Sequence, residues 1–241
     1  MIWVTITDLK LKSPSLSIFV PVGIFLEILT SVMLWVTATK DPATIPMRDY
    51  LIDAYKRKID NPTDDTLNRV KYLAVHGPYL TKMKYCPTCD IFRPPRTIHC
   101  GLCGCCIERL DHHCPWIGTC VGKRNYKYFL IFVYSLVVLM IMNIIFCSAY
   151  FIQMDFDGNK LNYFLTLGSL IFTLIIGIFV FYLCGYHQYI LFRNETTNEN
   201  IKKSYAKLGN PFQRGVSDNI SRLFKRDKRN WRAEEEIVVF K

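Results

Sequence analysis

Acidic residues are in short supply in this 241-residue chain: 20 Asp and Glu stand against 30 Lys and Arg, a formal charge of +10. Charge of either sign is missing from two long stretches, 128–152 and 161–192. Cysteine is scarce outside one segment, since only Cys147 and Cys184 of the ten lie beyond residues 86–120. No internal repeat is apparent. Each of these lacks excludes something. Uncharged apolar runs of that length do not belong to the core of a soluble globule, because a bilayer needs only roughly 20 apolar residues as helix. Clustered cysteines do not make a spread-out disulfide scaffold. Disorder, which requires few apolar residues, is excluded by a 51% hydrophobic content.

What is present is a set of three membrane spans at 17–37, 128–152 and 163–192, the last within an uncharged run starting at Leu161. The first span carries a single charge, Glu27, expected to face other helices or to sit where it can be protonated. Its apolar core is longer than that of a cleaved signal peptide, so it reads as a membrane helix. Lys and Arg number 15 in 38–127 and 12 in 193–241, against two in 1–16 and one in 153–160. By the positive-inside bias the rich segments face the cytosol. The expected order is a lumenal N-terminus 1–16, a cytosolic connector 38–82 with some helix near 48–58, and a Cys-rich domain 83–127. A lumenal loop 153–162 and a cytosolic tail 193–241 complete it. The positive balance then belongs to topology and anionic lipid headgroups, not to nucleic acid.

Between 86 and 120 stand eight Cys and three His: Cys86, Cys89, Cys100, Cys103, Cys105, Cys106, Cys114, Cys120, His99, His112 and His113. Cys86-x-x-Cys89 and Cys100-x-x-Cys103 have the spacing of zinc-ribbon ligand hairpins. A reducing cytosol disfavours disulfides there, and no βαβ pattern supports a thioredoxin-like site. Closed zinc sites take four ligands each. Eleven soft ligands therefore suit two zincs with three groups to spare, and such a segment has too few aliphatics to fold without metal. The count does not say which groups are spare. Adjacent pairs such as Cys105-Cys106 and His112-His113 point apart, so each pair should divide between roles.

The run from Cys86 through Arg93-Pro94-Pro95-Arg96, His99-Cys100, Asp111-His112-His113-Cys114-Pro115-Trp116, Cys120-Val121-Gly122 and Asn125-Tyr126 resembles the DHHC-type protein S-acyltransferases, or palmitoyltransferases. Thr196-Thr197-Asn198-Glu199 matches that family's TTxE motif. Asn210-Pro211-Phe212 with Gly215 and Asn219 resembles its C-terminal aromatic and Asn motif. The resemblance implies a polytopic α-helical membrane protein, three spans here where the family usually has four. Its cytosolic Cys-rich domain would be built of short β-hairpins and loops around two zincs. One zinc would be held by Cys86, Cys89, His99 and Cys106, the other by Cys100, Cys103, His113 and Cys120. Catalysis would fall to Asp111, His112 and Cys114, leaving Cys105 structurally incidental. Departures are the single span before the Cys-rich domain, by truncation or by design, Ala43 where Asp41-Pro42 is usually followed by Gly, and Thr119 where Asn is usual.

The implied chemistry is two-step. Cys114 takes a fatty acyl group from palmitoyl-CoA or another long-chain acyl-CoA at the membrane boundary and passes it to a cysteine of a cytosolic or membrane-attached protein. His112 accepts the thiol proton, and Asp111 orients the imidazole. Cationic Lys84, Arg93, Arg96, Lys123 and Arg124 could meet the CoA phosphates, the resemblance favouring Lys84 and Arg93. Thr197 would hydrogen-bond Asp111 or cap a helix. The compartment implied is a eukaryotic endomembrane (ER or Golgi) or the plasma membrane. The rival reading is a zinc-stabilised membrane adaptor or an inactive, truncated acyltransferase. A metal transporter is poorly supported, because the spans carry few liganding side chains.

Overall fold

A computed structural model describes residues 19–45, 71–76, 79–89, 91–153, 160–207, 209–225 and 238–239. The expectations for the segment 1–16, the helix near 48–58 and most of the loop 153–162 fall outside those residues. The chain forms two compact units, one from 1–36 with 128–188 and one from 37–127 with 189–241.

The first unit is built from three helices, α1 (Phe19–Thr39), α2 (Tyr126–Gln153) and α3 (Lys160–Phe192), each long and apolar enough to cross a membrane. They extend beyond the runs read from hydropathy: α1 ends two residues later, α2 starts two earlier and α3 three earlier. Hydropathy marks the hydrocarbon layer, whereas helical hydrogen bonds continue into the headgroup region. α1 stops before Pro42, consistent with the bias against helix in the residue preceding proline. Where helices meet, small polar groups pair, as expected where water is absent. Thr30 Oγ1 donates to Ser135 Oγ at 2.9 Å, and Asn143 Nδ2 donates to Thr173 Oγ1 at 2.6 Å. Phe146 is buried against Val20, Met142, Ala149 and Tyr150. Glu27, expected to face other helices or to sit where it can be protonated, is exposed beside Phe25 and Ile28, so the first alternative does not hold.

Most strands of the second unit are two or three residues long. β1 (Thr44–Ile45), β6 (Cys105–Ile107) and β5 (Ile98–Cys100) form one sheet in the order β1-β6-β5. β7 (His112–Cys114) pairs with β8 (Thr119–Val121). β4 (Ile91–Arg93), β3 (Tyr79–Cys86), β2 (Lys71–His76) and β9 (Val238–Val239) form a third sheet. Three-residue strands bury too little to hold themselves, and the buried cores here are small clusters rich in cysteine: Cys86, Cys89, Cys106, and Cys100, Ile107, Leu110, Cys120. Asn125, fully buried, ties the unit together. It accepts from Gly122 N at 2.8 Å and donates to Cys120 O at 2.9 Å and Thr37 O at 3.1 Å. Ala43, at the position the resemblance would fill with glycine, has φ +86° and is buried. An L-residue in the left-handed region carries strain of about 1–2 kcal/mol, which explains the usual glycine. Two short helices, α4 (Thr197–Ile201) and α5 (Val216–Phe224), lie in the C-terminal part.

Candidate active site and metal centres

Strand alternation sorts the ligands. In β7 the side chains of His112 and Cys114 share one face and His113 takes the other. His113 is directly opposite Cys120 in the β7–β8 pair, so these two lie on a common face. In the same way His99 is opposite Cys106, and Cys100 opposite Cys105. The result is two groups of four donors whose ligand atoms all lie within 4.8 Å of one another. One comprises Cys86, Cys89, His99 and Cys106, the other Cys100, Cys103, His113 and Cys120. In the first, His99 Nδ1 is 3.3, 3.6 and 3.8 Å from Cys89, Cys86 and Cys106 Sγ. In the second, His113 Nδ1 is 3.3, 3.6 and 3.7 Å from Cys103, Cys120 and Cys100 Sγ, and Cys103 and Cys120 Sγ are 3.4 Å apart. Tetrahedral zinc, bonded at about 2.3 Å to sulfur and about 2.0 Å to nitrogen, sets sulfur–nitrogen edges of roughly 3.6 Å and sulfur–sulfur edges of roughly 3.8 Å. The donor sets fit such an ion in kind and in spacing. Cys105 is in neither group and packs on the Cys100–Cys120 cluster.

On the opposite face of β7 stand His112 and Cys114, and Asp111, just before the strand, bonds the His112 ring. Asp111 is buried and its Oδ2 is 2.7 Å from His112 Nδ1. Thr197 holds the same carboxylate twice, from its backbone N–H to Oδ1 at 2.9 Å and from its hydroxyl to Oδ2 at 2.7 Å. The helix cap is a separate residue: Thr196 accepts from Glu199 N, and the Glu199 carboxylate accepts from Thr196 N, a complete capping box. The two threonines thus divide bonding and capping. With Nδ1 committed to Asp111, the other ring nitrogen is left for the Cys114 thiol.

The electrostatics follow from these partners. Burial opposes charging of His112, but hydrogen bonds with Asp111 and Cys114 and the charge of Asp111 win, raising its pKa to about 9. Burial likewise opposes ionisation of Cys114. The hydrogen bond from His112, the backbone N–H groups of Ile117 and Trp116 and the His112 charge outweigh it, so the thiol pKa lies below its ordinary value. A tight turn follows Cys114, with Ile117 N and Gly118 N donating to the Cys114 carbonyl at 3.2 and 2.9 Å.

Of the five cations, three are ion-paired within the chain. Buried Arg96 makes a bidentate pair with Glu199, at 2.8 and 2.6 Å. Lys123 pairs with Glu108 and Arg124 with Asp41. Lys84 and Arg93 stand directly opposite each other on β3 and β4. Like charges across a strand pair repel, and among the described residues neither has a carboxylate partner.

Sequence reasoning missed two groups behind the site. Arg109 is half-buried and donates to Asn194 Oδ1 at 2.8 Å, an oxygen shared with Arg96 at 3.1 Å. Burial and the neighbouring Arg96 charge pull the Arg109 pKa down to about 10. Asn194, with φ +49°, also donates to Phe212 O at 2.7 Å. Neither lies in a spaced motif, and only a buried arginine pair needing oxygens would have pointed to them.

A family model described as DHHC palmitoyltransferase matches residues 80–204. The chain is 36% identical over 214 residues to "Probable protein S-acyltransferase 6" of Arabidopsis thaliana, covering 84% of this chain and 52% of that protein. It is 33% identical over 214 residues to "Palmitoyltransferase ZDHHC9" of Danio rerio, covering 83% and 54%. A 157-residue match to "Palmitoyltransferase ZDHHC9" of Bos taurus reaches 40% identity, covering 61% and 42%. The chain spans about half the length of the curated relatives it matches.

Proposed function

The chain belongs to the DHHC palmitoyltransferase family, and from that premise we propose that it is a protein S-acyltransferase working from a long-chain acyl-CoA through Cys114. The observation that carries the proposal is the placement of His112 and Cys114 on one face of β7 with Asp111 locked by Thr197. The high pKa of His112 and the lowered one of Cys114 favour an imidazolium–thiolate pair, which supplies the nucleophile at neutral pH. The thiolate attacks the thioester carbonyl, and the departing CoA sulfur takes the His112 proton. In the second half, His112 accepts the proton of an incoming cysteine thiol on the acceptor protein. That sulfur attacks the S-acyl group, and Cys114 leaves as thiolate.

Cys86, Cys89, His99 and Cys106 would hold one structural zinc, and Cys100, Cys103, His113 and Cys120 the other; closed four-ligand sites supply shape, not a reactive water. Lys84 and Arg93 would take the CoA phosphates, the anion relieving their mutual repulsion. The Cys-rich domain and tail face the cytosol in this reading, on the Lys and Arg count, so that Cys114 works at the headgroup boundary.

Purified protein, wild type and Cys114→Ser, incubated with labelled palmitoyl-CoA tests this. Hydroxylamine-sensitive label is expected on wild type alone. Equal label on both, or none on wild type with both zincs bound, would overturn it.

A further inference from the structure

The connection 108–111 between β6 and β7 meets the segment 194–197 at two points. At the inner one Thr197 donates twice to Asp111. At the outer one Arg109 NH2 donates to Asn194 Oδ1 at 2.8 Å. Arg109 lies two residues from Asp111, and Asn194 three from Thr197, so the two segments are cross-linked like the rungs of a short ladder. One rung alone would leave a pivot. Two fix the angle at which Thr197 presents its backbone N–H and its hydroxyl to the carboxylate.

Asn194 is itself firmly held. Its Oδ1 also accepts from Arg96 NH1 at 3.1 Å and its backbone O from Arg96 NH2 at 2.9 Å. Its Nδ2 donates to Phe212 O at 2.7 Å and to Asn219 Oδ1 at 3.3 Å. The backbone at both ends of the outer rung is left-handed, with φ +49° at Arg109 and +49° at Asn194. An L-residue there is strained, arginine more than asparagine, and such strain persists where the surroundings dictate it and gathers at functional sites. Arg109 hydrogen-bonds no carboxylate among the described residues; Glu199 and Asp111 act on it through charge alone. Its guanidinium instead meets a neutral oxygen already taken by Arg96. An arrangement serving stability alone would give that cation an acid. What this one supplies is fixed geometry beside Asp111.

We propose that Arg109 and Asn194 are positioning residues for acyl transfer, a clasp that holds Thr197 on Asp111 and so fixes the carboxylate that orients His112. The proposal rests on the reading that Cys114 carries the acyl group. Both residues act through Thr197.

The test is single-turnover labelling of the full chain with labelled palmitoyl-CoA, which yields a limiting rate and a half-saturating concentration. Arg109→Met should lower the limiting rate about tenfold, as a small misplacement does, and leave half-saturation unchanged. Arg109→Lys, which can still donate to Asn194, should recover most of that rate. Asn194→Gly, which accepts the left-handed backbone, should lose rate as Arg109→Met does, and it replaces that variant if Arg109→Met does not fold. On a Thr197→Val background Arg109→Met should cost little more, because the hydroxyl bond it steadies is already gone. A raised half-saturating concentration at an unchanged limiting rate would overturn the proposal and make Arg109 a ligand of the CoA phosphates. So would losses that multiply in the double variant, or a wild-type rate in Asn194→Gly. No label on wild type would overturn the acyltransferase reading, and the clasp with it.

Discussion

A β-carbon on Gly122 would stand 2.4 Å from the Pro42 carbonyl oxygen and 2.7 Å from Ile107 Cγ2. The first obstacle is backbone, on the same turn that holds strained Ala43, and it cannot swing aside as a side chain would. Gly122 also donates to Asn125 Oδ1, so any shift disturbs the buried amide that joins Thr37 to Cys120. Gly122→Ala should therefore cost about 2 kcal/mol or more, at the upper end for overpacking. Gly101 has open space around its position and no positive φ, which makes Gly101→Ala the control, expected near neutral. Thermal unfolding of the purified proteins checks this, and equal midpoints for the two variants would refute it. The same scale explains the division of the His112-His113 pair. His112 and Cys114 come together because residues two apart on a strand share a face, whereas Asp111, just before β7, is held to His112 by its hydrogen bonds to that ring and to Thr197.

Helix α4 is an element whose sequence was readable and whose partners were not. TTxE announces a capping box by its spacing, yet nothing in the spacing says that Glu199 also takes Arg96 from a hundred residues upstream. Three-residue strands were likewise invisible to periodicity, and they were legible only through ligand spacing, because cysteine pairs and not apolar alternation shape them. The Arg96–Glu199 pair makes this element sensitive to acid. Burial raises the Glu199 pKa, but the Arg96 charge and its hydrogen bonds, with those from Thr196 and Tyr205, bring it below its ordinary value. A depressed carboxylate pKa contributes stability that is complete above the unfolded pKa, about 4.3, and is lost as pH falls through the folded value. Glu199→Gln should accordingly unfold at lower temperature than wild type at neutral pH. That gap should hold steady down to about pH 5 and narrow below it. Melting curves of both proteins across pH 3.5–7.5 check the sign, and a gap that widens on acidification would refute it.

At the scale of the molecule, the apolar helices and the small Cys-rich unit draw on different sources of stability. The three long helices are legible because roughly 20 uncharged residues have one common use, whereas their ends are not, since helix outlasts hydropathy. Among the described residues the Cys-rich unit has small cysteine clusters at its centre, and its strand β7 carries His113 toward one donor set while His112 and Cys114 point the other way. With the proposed zincs in place, removing metal would take away the support of His113 and Cys120, and with it the register that sets His112 beside Cys114. The proposed zincs perform no step, yet acyl transfer should disappear when they are chelated. Two equivalents of zinc should be released per chain, self-acylation should be lost, and far-UV circular dichroism should keep most of its helical signal because α1, α2 and α3 persist. Restoring zinc under reducing conditions should bring activity back. Full self-acylation in chain stripped of both metals would show that β7 holds its geometry unaided, and would remove the reason for placing eight ligands around three reacting groups.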